Sequence, residues 1–192
     1  VYKKQAFMSI IGHNLLNQAV NEKRLEKPDQ ILNYLNIAMS NTLGQNSSNA
    51  SSTSKIKDGM DISLLAIDNT NRKVMYSGAQ RPLVVARDNE LLEFKGDRHP
   101  VGGFLMGSFS SFTLHELDMQ ENDNYYLFSD GYSDQFGGER GKKFKYAKMK
   151  ELLFSVRSEP MSTQRSILYE SHELWKGNYE QVDDICVAGI KA

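Results

Sequence analysis

Apolar positions in the first part of the chain recur with a helical period. Phe7, Met8, Ile11, Leu15, Leu16 and Ala19 fall on one broad stripe. After the polar break Asn21-Glu-Lys-Arg-Leu-Glu-Lys27 the pattern returns at Ile31, Leu35, Ala38 and Met39. Pro28 suits a first helical turn, Asp29 favours its positive end, and Gly44 marks a stop. The spacing predicts helices over 5–20 and 28–43. The small polar stretch Gln45–Ser54 has nothing to bury and reads as a flexible loop within the domain.

The middle of the chain changes period. Asp61–Ile67, Lys73–Gly78, Leu83–Ala86 and Glu90–Phe94 are short β-prone runs separated by turn residues, which predicts an antiparallel meander. Phe112–Leu117 and Tyr125–Phe128 read as a further pair joined through Gln120–Asp123. Met149, Leu152, Leu153 and Val156 give another helix. A second, Thr163–Trp175, opens after Ser162 as N-cap, and Ile185–Ile190 is a closing strand. Helices, strands, helices and a last strand make an α+β domain in which helices cover sheet faces.

Composition narrows the classes. The 192 residues carry 23 Lys+Arg against 24 Asp+Glu, net −1, so no broad cationic field attracts nucleic acid or anionic lipid. No apolar run approaches the roughly 20 residues of a membrane helix. The single Cys186 excludes an intramolecular disulfide and a thiolate zinc cluster, and its apolar strand neighbours suggest a small buried hydrophobe. A cytoplasmic protein is expected. Residue 1 is Val, with a helical pattern starting almost at once, which reads as a piece of a longer chain.

Two apolar strands run out at carboxylates. One is Tyr125-Tyr-Leu-Phe-Ser-Asp-Gly-Tyr-Ser-Asp134, ending at Asp130-Gly131; in the other, Asp183 and Asp184 precede the last strand. Carboxylates on rigid strand ends are what Mg²⁺ or Mn²⁺ requires, since both take hard oxygen ligands. Two such ions can acidify a bridging water and neutralise a phosphoryl group. The plainer alternative is that Asp and Gly are common turn residues. Asp58 and Asp61 favour turn chemistry, and His99, His115 and His172 lack ligand spacing. Arg81 and the run Arg140–Lys145 supply positive charge for a phosphoprotein, or are solvated loops.

The strings FMSIIG, PDQILNYLN, KDGMDISLLAID, YSGAQRPL, YLFSDGYSDQFGGERGKKFKY and EQVDDICVAGI, in this order, resemble the SpoIIE-type branch of the metal-dependent PPM (protein phosphatase 2C-like) serine/threonine phosphatases. The resemblance implies one domain over 1–192, two packed antiparallel sheets flanked by helix pairs, and a Mn²⁺ or Mg²⁺ two-metal site. By position, Asp130 and Asp183 match catalytic metal ligands; Gly131, Asp134 and Asp184 fall around them, Asp184 in a more variable slot. The family's early Asp, with its Gly-His-Gly turn, would fall ahead of Val1, so the early strands and that ligand are expected to be missing. His13 follows Gly12 inside a helix and is not that histidine. The implied activity is hydrolysis of phosphoserine or phosphothreonine on a regulatory phosphoprotein, with a sensor or receiver domain upstream. The alternative is an inactive fragment or pseudophosphatase that binds a partner. Uncovered strand edges would favour self-association.

Overall fold

The computed structural model describes residues 2–42, 59–102 and 111–192. The loop Gln45–Ser54 and Asp58 lie outside the described residues. The helices are α1 (Tyr2–Asn17, continuing into a π-helical turn, Gln18–Glu22), α2 (Pro28–Thr42), α3 (Gly131–Asp134), α4 (Tyr146–Ser155) and α5 (Met161–Lys176). The strands are β1 (Ile62–Asp68), β2 (Lys73–Ala79), β3 (Leu83–Arg87), β4 (Glu90–Phe94), β5 (His115–Asp118), β6 (Asn124–Phe128), β7 (Phe136–Gly137), β8 (Lys142–Lys143) and β9 (Val187–Lys191). The chain divides into two compact units, residues 1–81 with 95–118, and 82–94 with 119–192.

The first unit holds a three-stranded antiparallel sheet, β1-β2-β5. Its core joins Ile11, Leu15 and Ala19 of α1 and the π turn to Ile31, Leu32, Leu35 and Met39 of α2, against Ala79, Val101 and Phe112. The α2 residues sit at 3–4-residue steps, so one stripe is buried. Asn36 lies in that stripe, and its Oδ1 accepts the Gly102 N–H at 2.8 Å, which satisfies an amide the core would otherwise strand.

The second unit holds a four-stranded antiparallel sheet, β4-β3-β6-β9, and the β7–β8 hairpin. Val84, Ala86, Tyr126 and Phe128 of the sheet pack with Met149 and Leu153 of α4 and Leu168 of α5. Several polar groups in this core are paired. The Tyr126 hydroxyl donates to Gln164 Oε1 at 2.7 Å, and Gln164 Nε2 donates to Asn124 Oδ1 at 3.0 Å. Asp123, wholly buried, takes two bonds from Arg87 (2.8 and 2.7 Å) and one from the Tyr125 hydroxyl (2.7 Å).

The α+β class with antiparallel sheets stands as read, but strand partners differ from the expectation. The four middle runs are not one meander: β1 and β2 belong to one sheet, β3 and β4 to the other. The link between them is held back in the first unit, because Gln80 N–H donates to Asp97 O and Asp97 N–H to Gly78 O, both at 2.8 Å. β5 and β6 are not a pair either; β5 joins β2, while β6 lies between β3 and β9. Helix α5 starts at Met161 after Pro160, so Ser162 is inside the helix rather than its cap.

Candidate functional site

The site is built at one end of the β6–β9 pair. The register runs from Asn124 opposite Lys191 to Phe128 opposite Val187. The pairing then continues one residue further. Ser129 N–H donates to the Cys186 carbonyl at 2.9 Å, and Cys186 N–H donates to Ser129 Oγ at 3.0 Å. The same hydroxyl donates to the Asp184 carbonyl at 2.9 Å. Ser129 thus ties together the two segments that carry Asp130 and Asp183-Asp184, and both leave the ladder at the same end. Sequence reasoning passed over Ser129; the available signal was a hydroxyl immediately before a strand-end Asp.

Asp130 adopts helical angles, φ −76° and ψ −16°, and its carboxylate does not cap α3. Its carbonyl accepts the Asp134 N–H at 2.8 Å and the Ser133 hydroxyl at 3.0 Å, so the backbone is fixed by the turn. Gly131 follows because nothing larger fits: a Cβ there would lie 2.4 Å from the Asp184 carbonyl oxygen and 3.0 Å from its carbon.

Across the pair, Asp183 and Asp184 are both exposed, and Asp183 Oδ1 accepts the Asp184 N–H at 2.7 Å. Asp134 is turned to Lys143, whose ammonium lies 2.8 Å from its carboxylate. The oxygen donors suit Mg²⁺ or Mn²⁺ in type. They fall short in number: among the described residues no group of three His, Cys, Asp or Glu side chains is placed to hold a metal ion.

Residues 4–192 match the family described as Stage II sporulation protein E (SpoIIE). The chain belongs to the SpoIIE family. A search of curated proteins gives no match. Among solved structures, the SpoIIE-family chain is similar to the SiaA-PP2C domain of Pseudomonas aeruginosa, with TM-score 0.83 and 23% identity over 97% of this chain and 70% of that one. It is similar to the PP2C phosphatase domain, with a fragment of the regulatory domain, of the cell fate determinant SpoIIE from Bacillus subtilis. There the TM-score is 0.68 and the identity 14%, over 97% of this chain and 50% of that one. RsbX in complex with magnesium gives TM-score 0.57 and 15% identity, over 94% and 73%. These likenesses establish the PP2C-type phosphatase fold.

The other candidates have structural employment. Asp61 accepts Arg81 Nη2 at 2.7 Å. His99 lies 4.5 Å from the Phe112 ring, and His115 stacks on Tyr76 at 5.7 Å. His172 is buried against Tyr132, with Nδ1 3.2 Å from Glu173 Oε1. Cys186 is exposed, not buried; it lies just ahead of β9, which is itself largely exposed and, among the described residues, pairs with β6 on one side only. A groove of about 770 Å³ runs along α5 and β9, walled by Leu168, Tyr169 and Val187, but Asp130, Asp183 and Asp184 are not among its walls. No described helix is long and apolar enough to cross a membrane.

Proposed function

We propose that residues 1–192 form one SpoIIE-type phosphatase domain that hydrolyses phosphoserine or phosphothreonine on a regulatory phosphoprotein in the cytoplasm, with Asp130 and Asp183 as catalytic metal ligands. The observation that carries this reading is the Ser129 tie, which fixes the two Asp-bearing strand ends side by side, with Gly131 against the Asp184 carbonyl. Mn²⁺ or Mg²⁺ is the metal the donors suit, and the magnesium complex of RsbX supports it. Asp184 and Asp134 orient neighbours rather than bind metal, as the Asp134–Lys143 pair suggests. A sensor or receiver domain in the same polypeptide is in keeping with the regulatory-domain fragment in the SpoIIE structure.

Two carboxylates are too few for a two-metal centre, so the described residues alone do not make it. The same shortage favours the second reading, a pseudophosphatase that keeps the fold and binds a partner. Turnover of an aryl phosphate with and without Mn²⁺ decides between them. The expected result is near-background turnover by the 192-residue chain. A version extended by the family's Asp and Gly-His-Gly turn should show Mn²⁺-dependent turnover, abolished by Asp130→Asn. An extended protein without turnover would favour the binding module. Strong Mn²⁺-dependent turnover by the short chain would show that its ligand set is already complete.

A further inference from the structure

The β7–β8 hairpin and the start of α4 carry five cations within nine residues: Arg140, Lys142, Lys143, Lys145 and Lys148. Two have structural uses. Lys143 pairs with Asp134, and the Lys148 ammonium sits 3.9 Å from the Trp175 ring centroid. Arg140, Lys142 and Lys145 are exposed and have no side-chain partner among the described residues. The acid of this hairpin, Glu139, is also exposed, so three unpaired positive charges face one negative.

Lys145 stands out on backbone grounds as well. It has φ 78° and ψ 141°, close to a region that is essentially reserved for glycine. Its N–H donates to the Ser133 carbonyl at 2.8 Å, and the Ser133 hydroxyl donates to the Asp130 carbonyl at 3.0 Å. Phe144 N–H donates to the Gln135 carbonyl at 2.9 Å and anchors the other side. Two hydrogen bonds therefore connect this strained lysine to the turn that carries Asp130. A glycine would relieve the strain, yet the position holds an exposed, unpaired cation.

We propose that Arg140, Lys142 and Lys145 form a docking edge for acidic residues flanking the phosphorylated side chain of the substrate. The proposal rests on the phosphatase reading and adds a substrate preference to it: phosphoserine within an Asp/Glu-rich segment. Exposed charge pairs contribute about 1.5- to 5-fold each, so the three together contribute roughly ten-fold in affinity. That contribution is screened as salt rises from about 0.1 to 1 M, where the Debye length falls from about 10 to 3 Å.

The test is fluorescence anisotropy of a labelled, Asp/Glu-rich phosphoserine peptide on the 192-residue protein, which requires no turnover. The triple variant Arg140→Gln, Lys142→Gln, Lys145→Gln should bind about ten-fold more weakly. A triple of equal charge in the first unit, Lys23→Gln, Arg24→Gln, Lys27→Gln, should bind as the wild type does. At residue 145 the two effects separate. Lys145→Gly should raise the melting temperature and weaken binding, Lys145→Gln should weaken binding without the stability gain, and Lys145→Arg should restore affinity. Unchanged binding in the hairpin triple overturns the proposal, and so does equal loss in the first-unit triple. Failure of the wild type to bind the peptide also overturns it. Aryl phosphate turnover, measured separately with Mn²⁺ on the extended protein, tests the phosphatase reading; that small substrate does not reach the docking edge, so the two failures are distinguishable.

Discussion

Gly131→Ala probes the junction on which the site depends. The new methyl would lie 2.4 Å from the Asp184 oxygen, about 1 Å inside ordinary contact, and 3.1 Å from Ile185 Cγ1. The obstacle is backbone, so no rotamer relieves it; the Asp130 turn and the 184–186 segment must separate. That movement strains the three hydrogen bonds made by Ser129. Overpacking costs about 1–3 kcal/mol, and each such bond contributes about 0.5–1.5 kcal/mol net. A total loss of about 1.5–6 kcal/mol follows if one or two bonds go, or roughly 3–24 °C in melting temperature at about 2–4 °C per kcal/mol. Urea and thermal unfolding of the 192-residue protein measure it, with Mn²⁺ binding by the extended protein, followed by electron paramagnetic resonance, as the functional readout. Ser129→Ala is the companion, removing the hydroxyl's two bonds without adding bulk. If Gly131→Ala unfolds at the wild-type midpoint and binds Mn²⁺ as well, the close approach of the two segments is wrong.

Arg87→Met leaves Asp123 buried with its main partner gone, and should cost about 3–5 kcal/mol in urea unfolding. Burial pushes the Asp123 carboxyl up, but bonds from Arg87, Tyr125 and the Gln120 N–H outweigh it and hold the group below the usual 3.8. A depressed folded value gives stability that is present above the unfolded pKa and lost as pH falls through the folded one. The wild-type urea midpoint should therefore drop as pH falls below about 4, and Asp123→Asn should flatten that part of the curve. Tyr126→Phe leaves Gln164 Oε1 without its donor in the core and should cost about 1–3 kcal/mol, measured by thermal unfolding. Because β9 pairs, among the described residues, only with β6, its outer edge should promote self-association, and Ile190→Lys should shift the sedimentation profile toward monomer; no change would remove that edge from consideration.

Much of this architecture was legible because it depends on local pattern. The α2 stripe reads directly from Ile31, Leu35 and Met39, and all three are buried. The strand-end motifs Asp130-Gly131 and Asp183-Asp184 were legible because apolar runs stopping at turn residues are a local signal. Strand partnership was not. Gln80-Arg-Pro82 reads as a hairpin turn, and only the bonds to Asp97, distant in sequence, reveal that β2 and β3 part there. The exposure of Cys186 was hidden for a related reason: an apolar string does not say whether its strand is central or at an edge. The geometry at Lys145 was illegible because its left-handed backbone is imposed by Ser133, while the residue itself gives no glycine signal.

The most direct test of the central claim is Mn²⁺ binding followed by electron paramagnetic resonance in the protein extended by the family's Asp and Gly-His-Gly turn and in its Asp130→Asn and Asp183→Asn variants, with Asp68→Asn as control. Asp68 is engaged by the Thr70 and Asn71 N–H groups in the β1–β2 turn. If Asp130 and Asp183 share a metal, either substitution weakens Mn²⁺ binding at least about ten-fold, by analogy with the loss of groups that merely support ligands, while Asp68→Asn leaves it unchanged. Equal Mn²⁺ affinity in all four proteins would contradict the assignment of Asp130 and Asp183 as ligands.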